Sequence, residues 1–451
     1  MPLRDDAIAI WKAGVAAVDS ERLCRDQIQL TGDVLTIAGQ SFDVRSIRRI
    51  EVVGAGKAGA GMAAGVEQAL EGLPDSVQAS GWINVPADCV QPRRWIHLHA
   101  ARPAGLNEPT PEAVSGTAEI LSRVSGLSDA DVCIVLLSGG GSALLCAPVP
   151  EITLEDKVAV TRRLAASGAP IEELNAVRTR LSMVKGGGLA KASRAGATIA
   201  LIVSDVVGDP LSTIASGPTT PPEASERSPL QIMADRGIPA EELPPRVVTA
   251  LTDQTSGKSG TATDSVRCSN HVIGSNRVAV QAAAAEATRR GYLVETLGSD
   301  NVGEASEEGL SLYRRLHSLR PDADGPVCVL SGGEPTVRLA KVDVPRSGGR
   351  NQELVLAAVT QHPASADWDR IVLLSGGTDG EDGPTDAAGA VADAALVERM
   401  LTVGLNPADY LRINNSYPFF QQLDGLLKTG PTHTNVMDLR VGLVSDRPDD
   451  T

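Results

Sequence analysis

Aromatic side chains are nearly missing: Phe, Trp and Tyr together make up 2% of the 451 residues. A core built without them must be filled by Ala, Val, Leu and Ile, which suits helices layered on a sheet. Cationic excess is missing too. The formal net charge is −15, which argues against nucleic acid or an anionic membrane as a partner. None of the six cysteines forms a C-x-x-C pair, so disulfides and a structural zinc site are not expected, in keeping with a reducing, cytoplasmic setting. The N-terminus, Met1-Pro2-Leu3-Arg4-Asp5-Asp6, carries no apolar signal core, and no membrane span is expected because no run of roughly 18 uncharged apolar residues occurs. A P-loop, G-x-x-x-x-G-K-[ST], is also lacking.

What the chain does hold is a repeated grammar. Three apolar runs stop at Ser-Gly-Gly: Val132–Leu137 before Ser138-Gly139-Gly140, Val327–Leu330 before Ser331-Gly332-Gly333, and Ile371–Leu374 before Ser375-Gly376-Gly377. Such runs read as buried parallel strands emptying into glycine turns. Open α/β sheets bind ligands at the carboxyl ends of their strands, and glycine lets main-chain N–H groups approach an anion there. The chain length of 451 residues allows two domains.

The first half alternates strand and helix, the pattern of a doubly wound parallel sheet. A helix from Asp5 to about Arg25 precedes strands at Arg49–Val53, Gln78–Val85, Trp95–Leu98, Val132–Leu137 and Thr198–Val203. Helices are expected over Pro111–Val124 and through Thr153–Lys191, broken near Gly168. A turn-rich stretch, Ser216–Pro229, and a Ser/Thr/Gly-rich linker, Thr252–Ser265, bracket one helical pair. His271-Val272-Ile273 is expected to open a second α/β half, which ends in a strand near Val441–Val444.

Candidate functional residues sit at the turns. Gly54-x-Gly56-x-x-Gly59 has the form of a dinucleotide loop, but the strand that follows lacks the terminal acid that would hold a ribose hydroxyl. Lys57, within that loop and before a helix, opposes the helix dipole by about 0.3–1 kcal/mol unless an anion lies nearby. Ser138-Gly139-Gly140-Gly141-Ser142 offers an anion cradle, and Leu144 breaks the G-x-S-x-G pattern of a serine-hydrolase elbow. Asn175, Arg178, Ser182 and Lys185 form a polar stripe beside the apolar face of one helix. Asp205 and Asp209 suit a magnesium ion or a general base, and Asp379 adds a carboxylate near another strand end. Arg350 and Asn351, opening the helix Leu354–Thr360, suit bidentate capture of a phosphoryl group. Glycine cradles, isolated cations and carboxylates are the parts of phosphoryl transfer.

At these positions the chain resembles the glycerate 2-kinase family, whose second domain is called MOFRL. The resemblance rests on Val53–Ala58, Leu137–Ser142, Leu174–Gly187, Val203–Asp209 with Ile214–Pro218, Leu330–Pro335, Gly348–Leu354, Gly377–Asp386 and Gly430–Thr432 with Thr434-Asn435-Val436. It implies a Rossmann-like N-terminal domain over residues 1–255, a smaller MOFRL-type α/β domain over 266–451, and an active site in the cleft separating them. It also implies ATP, magnesium, and transfer of the γ-phosphoryl group to the 2-hydroxyl of D-glycerate, in a monomer or homodimer. On that reading Lys57, Arg350 and Asp205 are catalytic. Gly54, Gly56, Ser138, Gly139, Gly140, Gly141, Ser142, Asn175, Arg178, Lys185, Glu334, Asn351 and Asn435 bind substrate or phosphate, and Asp205 and Asp379 hold the metal. Pro210 and Thr179 depart from the family's acid and base at those positions. The alternatives are an NAD(P)H-dependent hydroxypyruvate reductase and a non-catalytic sugar-acid binding protein.

Overall fold

The computed structural model describes residues 3–222, 227–252, 267–319 and 325–445. It divides into two compact units: Ser20–Gly274, called the first here, and Met1–Asp19 with Ser275–Thr451, the second.

In the first unit a small antiparallel sheet, β1 (Ile28–Thr31), β2 (Val34–Ile37) and β3 (Gln40–Asp43), precedes the main sheet. The main strands are β4 (Arg49–Ala55), β5 (Gln78–Pro86), β6 (Ile96–Arg102), β7 (Asp131–Leu137), β8 (Ala197–Val203) and β9 (Cys268–Gly274). Their order is β6-β5-β4-β7-β8-β9 and every pairing is parallel. This is the doubly wound, Rossmann-like sheet expected from the strand–helix alternation. The direction of winding reverses where β4 meets β7, so the crevice for a ligand opens beyond Ala55 and Leu137, which are register partners. Both strands are buried on two faces, which is why they read as unbroken apolar runs.

The helices follow their caps. Thr110 Oγ1 accepts from Ala113 N at 3.2 Å before the helix Pro111–Ser125. Thr153 and Asp156 make a reciprocal capping box before Leu154–Ala166. Lys185 does not ride on a continuous helix. The expected helical stretch to Lys191 breaks into Leu154–Ala166, Ile171–Arg180 and Gly188–Ala192. The breaks fall where Gly168, Gly186 and Gly187 take left-handed φ angles of 75°, 57° and 82°.

The expected domain boundary at 255–266 is displaced. β9, read as the start of the second half, is the outer strand of the first sheet, paired with β8. The N-terminal helix read as Asp5–Arg25 is two helices, Leu3–Ala17 and Ser20–Asp26, and the first of them belongs to the second unit. Hydrophobic periodicity fixes which face of an element is buried, not which sheet it buries against. The linker read at Thr252–Ser265 lies almost entirely outside the described residues, as does part of Ser216–Pro229.

In the second unit the strands are β10 (Leu293–Thr296), β11 (Val327–Gly333), β12 (Ile371–Gly377), β13 (Gly389–Ala392), β14 (Leu426–Leu427) and β15 (Asp438–Val444), in the order β10-β11-β15-β12-β13-β14. Only β10 and β11 pair in parallel; β15 runs antiparallel to both of its neighbours. The sheet is therefore mixed. Here Ser-Gly-Gly is not a turn. Both copies stay inside their strands, with Gly333 and Gly377 each opposite Asp438. One sheet face, with Val329, Leu373 and Val444, packs with Leu312, Leu316, Leu354, Leu396 and Phe420. The other, with Cys328, Leu374, Val441 and Leu443, packs with Ile10, Trp11, Val280 and Ala283.

Candidate anion and phosphoryl site

The turns after β4 and β7 are knitted together by main-chain bonds. Ser138 N donates to Ala55 O at 3.2 Å, Lys57 N to Gly139 O at 2.9 Å, and Ala58 N to Ser138 Oγ at 3.0 Å. Gly56, at φ 151°, is obligatory because a Cβ there would collide with Ser138 Oγ. Gly54 is buried within β4, where a Cβ would strike Leu136 O. Gly54 and Gly56 thus serve the close approach of two chain segments rather than an open phosphate cradle. The exposed part of the turn is Gly140, at φ 76°. A Cβ on Gly140 would lie 3.1 Å from Arg102 Nη2 and 3.6 Å from Lys57 Cγ. A guanidinium and a lysine stem therefore flank this one glycine. Arg102 is only 4% exposed, and its Nε has no hydrogen-bond partner.

Beyond Gly141 lies a second polar group. Lys185 Nζ contacts Ser142 Oγ at 2.7 Å and Ser142 O at 2.9 Å. Ser142 Oγ also meets Ser216 Oγ at 2.9 Å, and Ser216 Oγ donates to Asn175 Oδ1 at 3.0 Å. Gly186 N and Gly187 N donate to Ser216 O and Gly217 O, which carries Lys185 to this point. Ala215 and Ser216 hold left-handed φ angles of 51° and 62°. Such conformations cost about 1–3 kcal/mol each and persist where the surroundings over-determine them. Lys185 and Lys157 are each 3% exposed. Burial, then the charges of Lys157 and Arg178, push the Lys185 ammonium well below the usual lysine range. Burial, then Arg178, lowers Lys157 as well. Among the described residues no carboxylate lies within ion-pair reach of Lys157, Arg178 or Lys185. Asp205 is half-buried two residues past β8, and Asp209 adopts φ 56°.

In the second unit Arg350 is already matched, whereas Arg440, 1% exposed, leaves Nε and Nη2 without a hydrogen-bond partner. Arg350 Nε and Nη2 donate to both oxygens of Asp438 at 2.7 and 3.0 Å, and Nη1 donates to Glu334 at 2.9 Å. Burial works against that charge, yet Asp438 and Glu334 hold the guanidinium above the usual arginine range. The helix Arg350–Gln361 has its N-terminus filled by Asp382, whose oxygens accept from Asn351 N at 3.0 Å and Gln352 N at 2.8 Å. Burial raises Asp382 to about 7 despite those two N–H donors. The expected anion clamp at Arg350 and Asn351 is thus occupied by this chain's own acids. Asn351, 1% exposed, is spent between Asp382 and Ser375 and is not available to a ligand. Glu334 is Arg350's partner. Asn435 Oδ1 accepts from Met437 N at 3.1 Å and shapes a turn. Asp379 and Asp438 converge on Gly377: a Cβ there would lie 3.1 and 3.6 Å from their Oδ1 atoms. Asp205 and Asp379 fall in different units, and no group of three or more His, Cys, Asp or Glu among the described residues is arranged to hold a metal.

Sequence reasoning passed over Arg102, Lys157, Ser216, Asp382 and Asp438. Arg102 had one usable signal, a lone cation closing the carboxyl end of a parallel strand. The others reach their partners over long sequence separations. A cavity of about 470 Å³ bordered by Glu21, Glu67 and Arg94 is not part of the site; the Glu67 carboxylate is taken up by the N–H groups of Arg94, Trp95 and Ile96.

Residues 6–252 match the family described as a domain of unknown function, DUF4147, and residues 327–438 match the MOFRL family. The chain is 35% identical to a glycerate kinase of Danio rerio, over 99% of this chain and 98% of that protein. It is 39% identical to a putative hydroxypyruvate reductase of Agrobacterium vitis, over 88% and 87%. A crystal structure of a glycerate kinase from Thermotoga maritima superposes with a TM-score of 0.81 at 30% identity, covering 98% of this chain and 99% of that one. The chain belongs to the glycerate kinase family, enzymes that join a DUF4147 domain to a MOFRL domain.

Proposed function

We propose that the protein is an ATP-dependent D-glycerate 2-kinase, giving 2-phosphoglycerate and ADP. The observation that carries this reading is the group of cations at the carboxyl ends of the first sheet, of which Arg178 and Lys185 have no carboxylate within ion-pair reach among the described residues. Burying an ammonium or guanidinium without a counter-charge is costly, and a small carboxylate or phosphate offsets that cost. Arg178 and Lys185, beside Ser142 and Asn175, suit the glycerate carboxylate. Lys57 and Arg102, over Gly139 and Gly140, suit the phosphoryl oxygens and neutralise charge as it develops. Asp205 would accept the hydroxyl proton. In the second unit Arg350 keeps a third of its side chain exposed, enough for a contact beyond its own acids. Asp379, rather than Asp438 whose two oxygens already serve Arg350, would hold magnesium, which uses one or two carboxylates together with substrate phosphates. When bound, the ion would neutralise phosphate charge. Six free cysteines fit the cytoplasmic, reducing setting expected from the sequence.

A nicotinamide-dependent reductase is the competing reading that one relative's name raises. Against it, Ser138 fills the space beside Gly56, and the end of β5 presents Asn84, which is fully buried and bonded to Leu144 O. The deciding experiment follows ADP release with ATP, magnesium and D-glycerate, with the product's phosphate position fixed by NMR, beside NADH oxidation with hydroxypyruvate. ADP release with a 2-phosphorylated product is expected. NADH oxidation without ADP release would overturn the kinase.

A further inference from the structure

We infer that Ser142 is a nucleophile activated by Lys185, and that the site also cleaves small carboxylic esters whose acyl part bears a second carboxylate.

Four contacts carry this. Lys185 Nζ lies 2.7 Å from Ser142 Oγ and is tied by a second bond to Ser142 O at 2.9 Å, so its position relative to the hydroxyl is fixed twice. Ser216 Oγ lies 2.9 Å from the same hydroxyl, and Ser216 is itself held by Asn175 at 3.0 Å. At rest Lys185 donates to Ser142 Oγ, the Ser142 hydroxyl to Ser216 and Ser216 to Asn175; when the Ser142 hydroxyl turns from Ser216, a neutral Lys185 at 2.7 Å is placed to take its proton. Lys185 is buried while Ser142 is half-exposed. The base is shielded from water and the nucleophile can be reached. The like charges of Lys157 and Arg178 and the burial of Lys185 favour its neutral form, the form that can take a proton. The missing G-x-S-x-G pattern excludes a strand-to-helix elbow but not a serine–lysine pair. The left-handed Ser216 gives the arrangement a backbone strain that the fold maintains.

In the acylation step Ser142 Oγ bonds to the ester carbonyl carbon and its proton passes to Lys185 Nζ. The bond from that carbon to the leaving oxygen then breaks, and the leaving alcohol takes the proton from Lys185. Water attacks the acyl-serine, again giving its proton to Lys185, which returns it to Ser142 Oγ as the carboxylic acid departs. No other reactant is needed. Arg178, half-buried and without an acid partner among the described residues, selects for the second carboxylate.

The test uses the full chain with p-nitrophenyl acetate, the p-nitrophenyl monoester of glutaric acid, and a fluorophosphonate reagent. The expected results are a p-nitrophenol burst, faster with the glutarate ester, and an adduct at Ser142 by peptide mass spectrometry. S142A should abolish the adduct. K185M should slow its formation about 100-fold, the lower range for a general base, and should remove an ionisation that falls below the usual lysine range in the pH profile. S142C, which keeps a nucleophile, should restore adduct formation and thereby separate lost chemistry from lost folding. No adduct, an adduct at another residue, or an unchanged rate in K185M would overturn the proposal. The kinase reading stands or falls separately, on ADP release.

Discussion

Arg350 in the second unit and Lys185 in the first meet burial in opposite ways. In the second, Arg350 is met by Asp438 and Glu334, and a helix N-terminus is capped by Asp382. In the first, Arg102, Lys157 and Lys185 are buried and Arg178 is half-buried, and Lys157, Arg178 and Lys185 have no carboxylate in reach among the described residues. Arg350 is satisfied by the fold, and Arg178 and Lys185 are the cations we propose for a ligand. The lesson is that a buried cation marks a binding site by what is missing around it. Arg350 looked as promising as Lys185 in sequence, because sequence shows the cation but not its partner.

This contrast can be broken by changing the partner. D438N strands the Arg350 guanidinium beside a neutral amide. Unfolding by denaturant should show a loss of about 3 kcal/mol from the second unit, in the range for breaking a buried pair. A loss under about 0.5 kcal/mol would mean the pair contributes nothing net. K57A should leave stability almost unchanged while lowering kcat for glycerate phosphorylation about 100-fold, as removal of one charge-stabilising group does. Turnover near that of the parent protein would take Lys57 out of the mechanism.

Acidity sharpens the contrast within the second unit. The folded-state value of Asp382, about 7, lies above that of an unfolded carboxylate. The native state therefore binds the extra proton, and stability from this group is complete below about pH 4 and is lost as pH rises through 7. Between about pH 5 and 7 the loss should be roughly 2 kcal/mol in equilibrium unfolding, and D382N should flatten that slope. The smallest effect is expected in the first unit. K185M replaces a buried amine, whose charged form its surroundings disfavour, with an apolar chain of similar length, so stability should hold or rise by about 1 kcal/mol. A marked loss would show that Lys185 is matched in a way its surroundings do not reveal.

Much of the first unit was legible because its signals are local. The apolar run before Ser138 ends as β7 ends, at Leu137, and the helix after Pro111 begins where the Thr110 cap dictates. The second unit was harder because its defining strand, β15, arrives last and inserts antiparallel at the centre of the sheet, converting two expected turns into strand interior. No local pattern announces that. The site divides in the same way. Gly140, Ser142 and Lys185 could be picked out from turns and spacing. The acids that occupy Arg350 and the serine that meets Ser142 lie far off in sequence, 88 positions for Asp438 and 74 for Ser216, and only the folded chain joins them.

The N-terminal helix Leu3–Ala17 has a consequence for how the protein is made. Its Ile10 and Trp11 share a core with Leu439, Val441 and Leu443, so this helix waits for a strand made much later before its greasy side is covered. The intervening Rossmann-like portion can close on itself in the meantime. Until then a chaperone-sized liability rides on the growing polypeptide, and a ribosome that stalls ahead of β15 leaves it permanently uncovered.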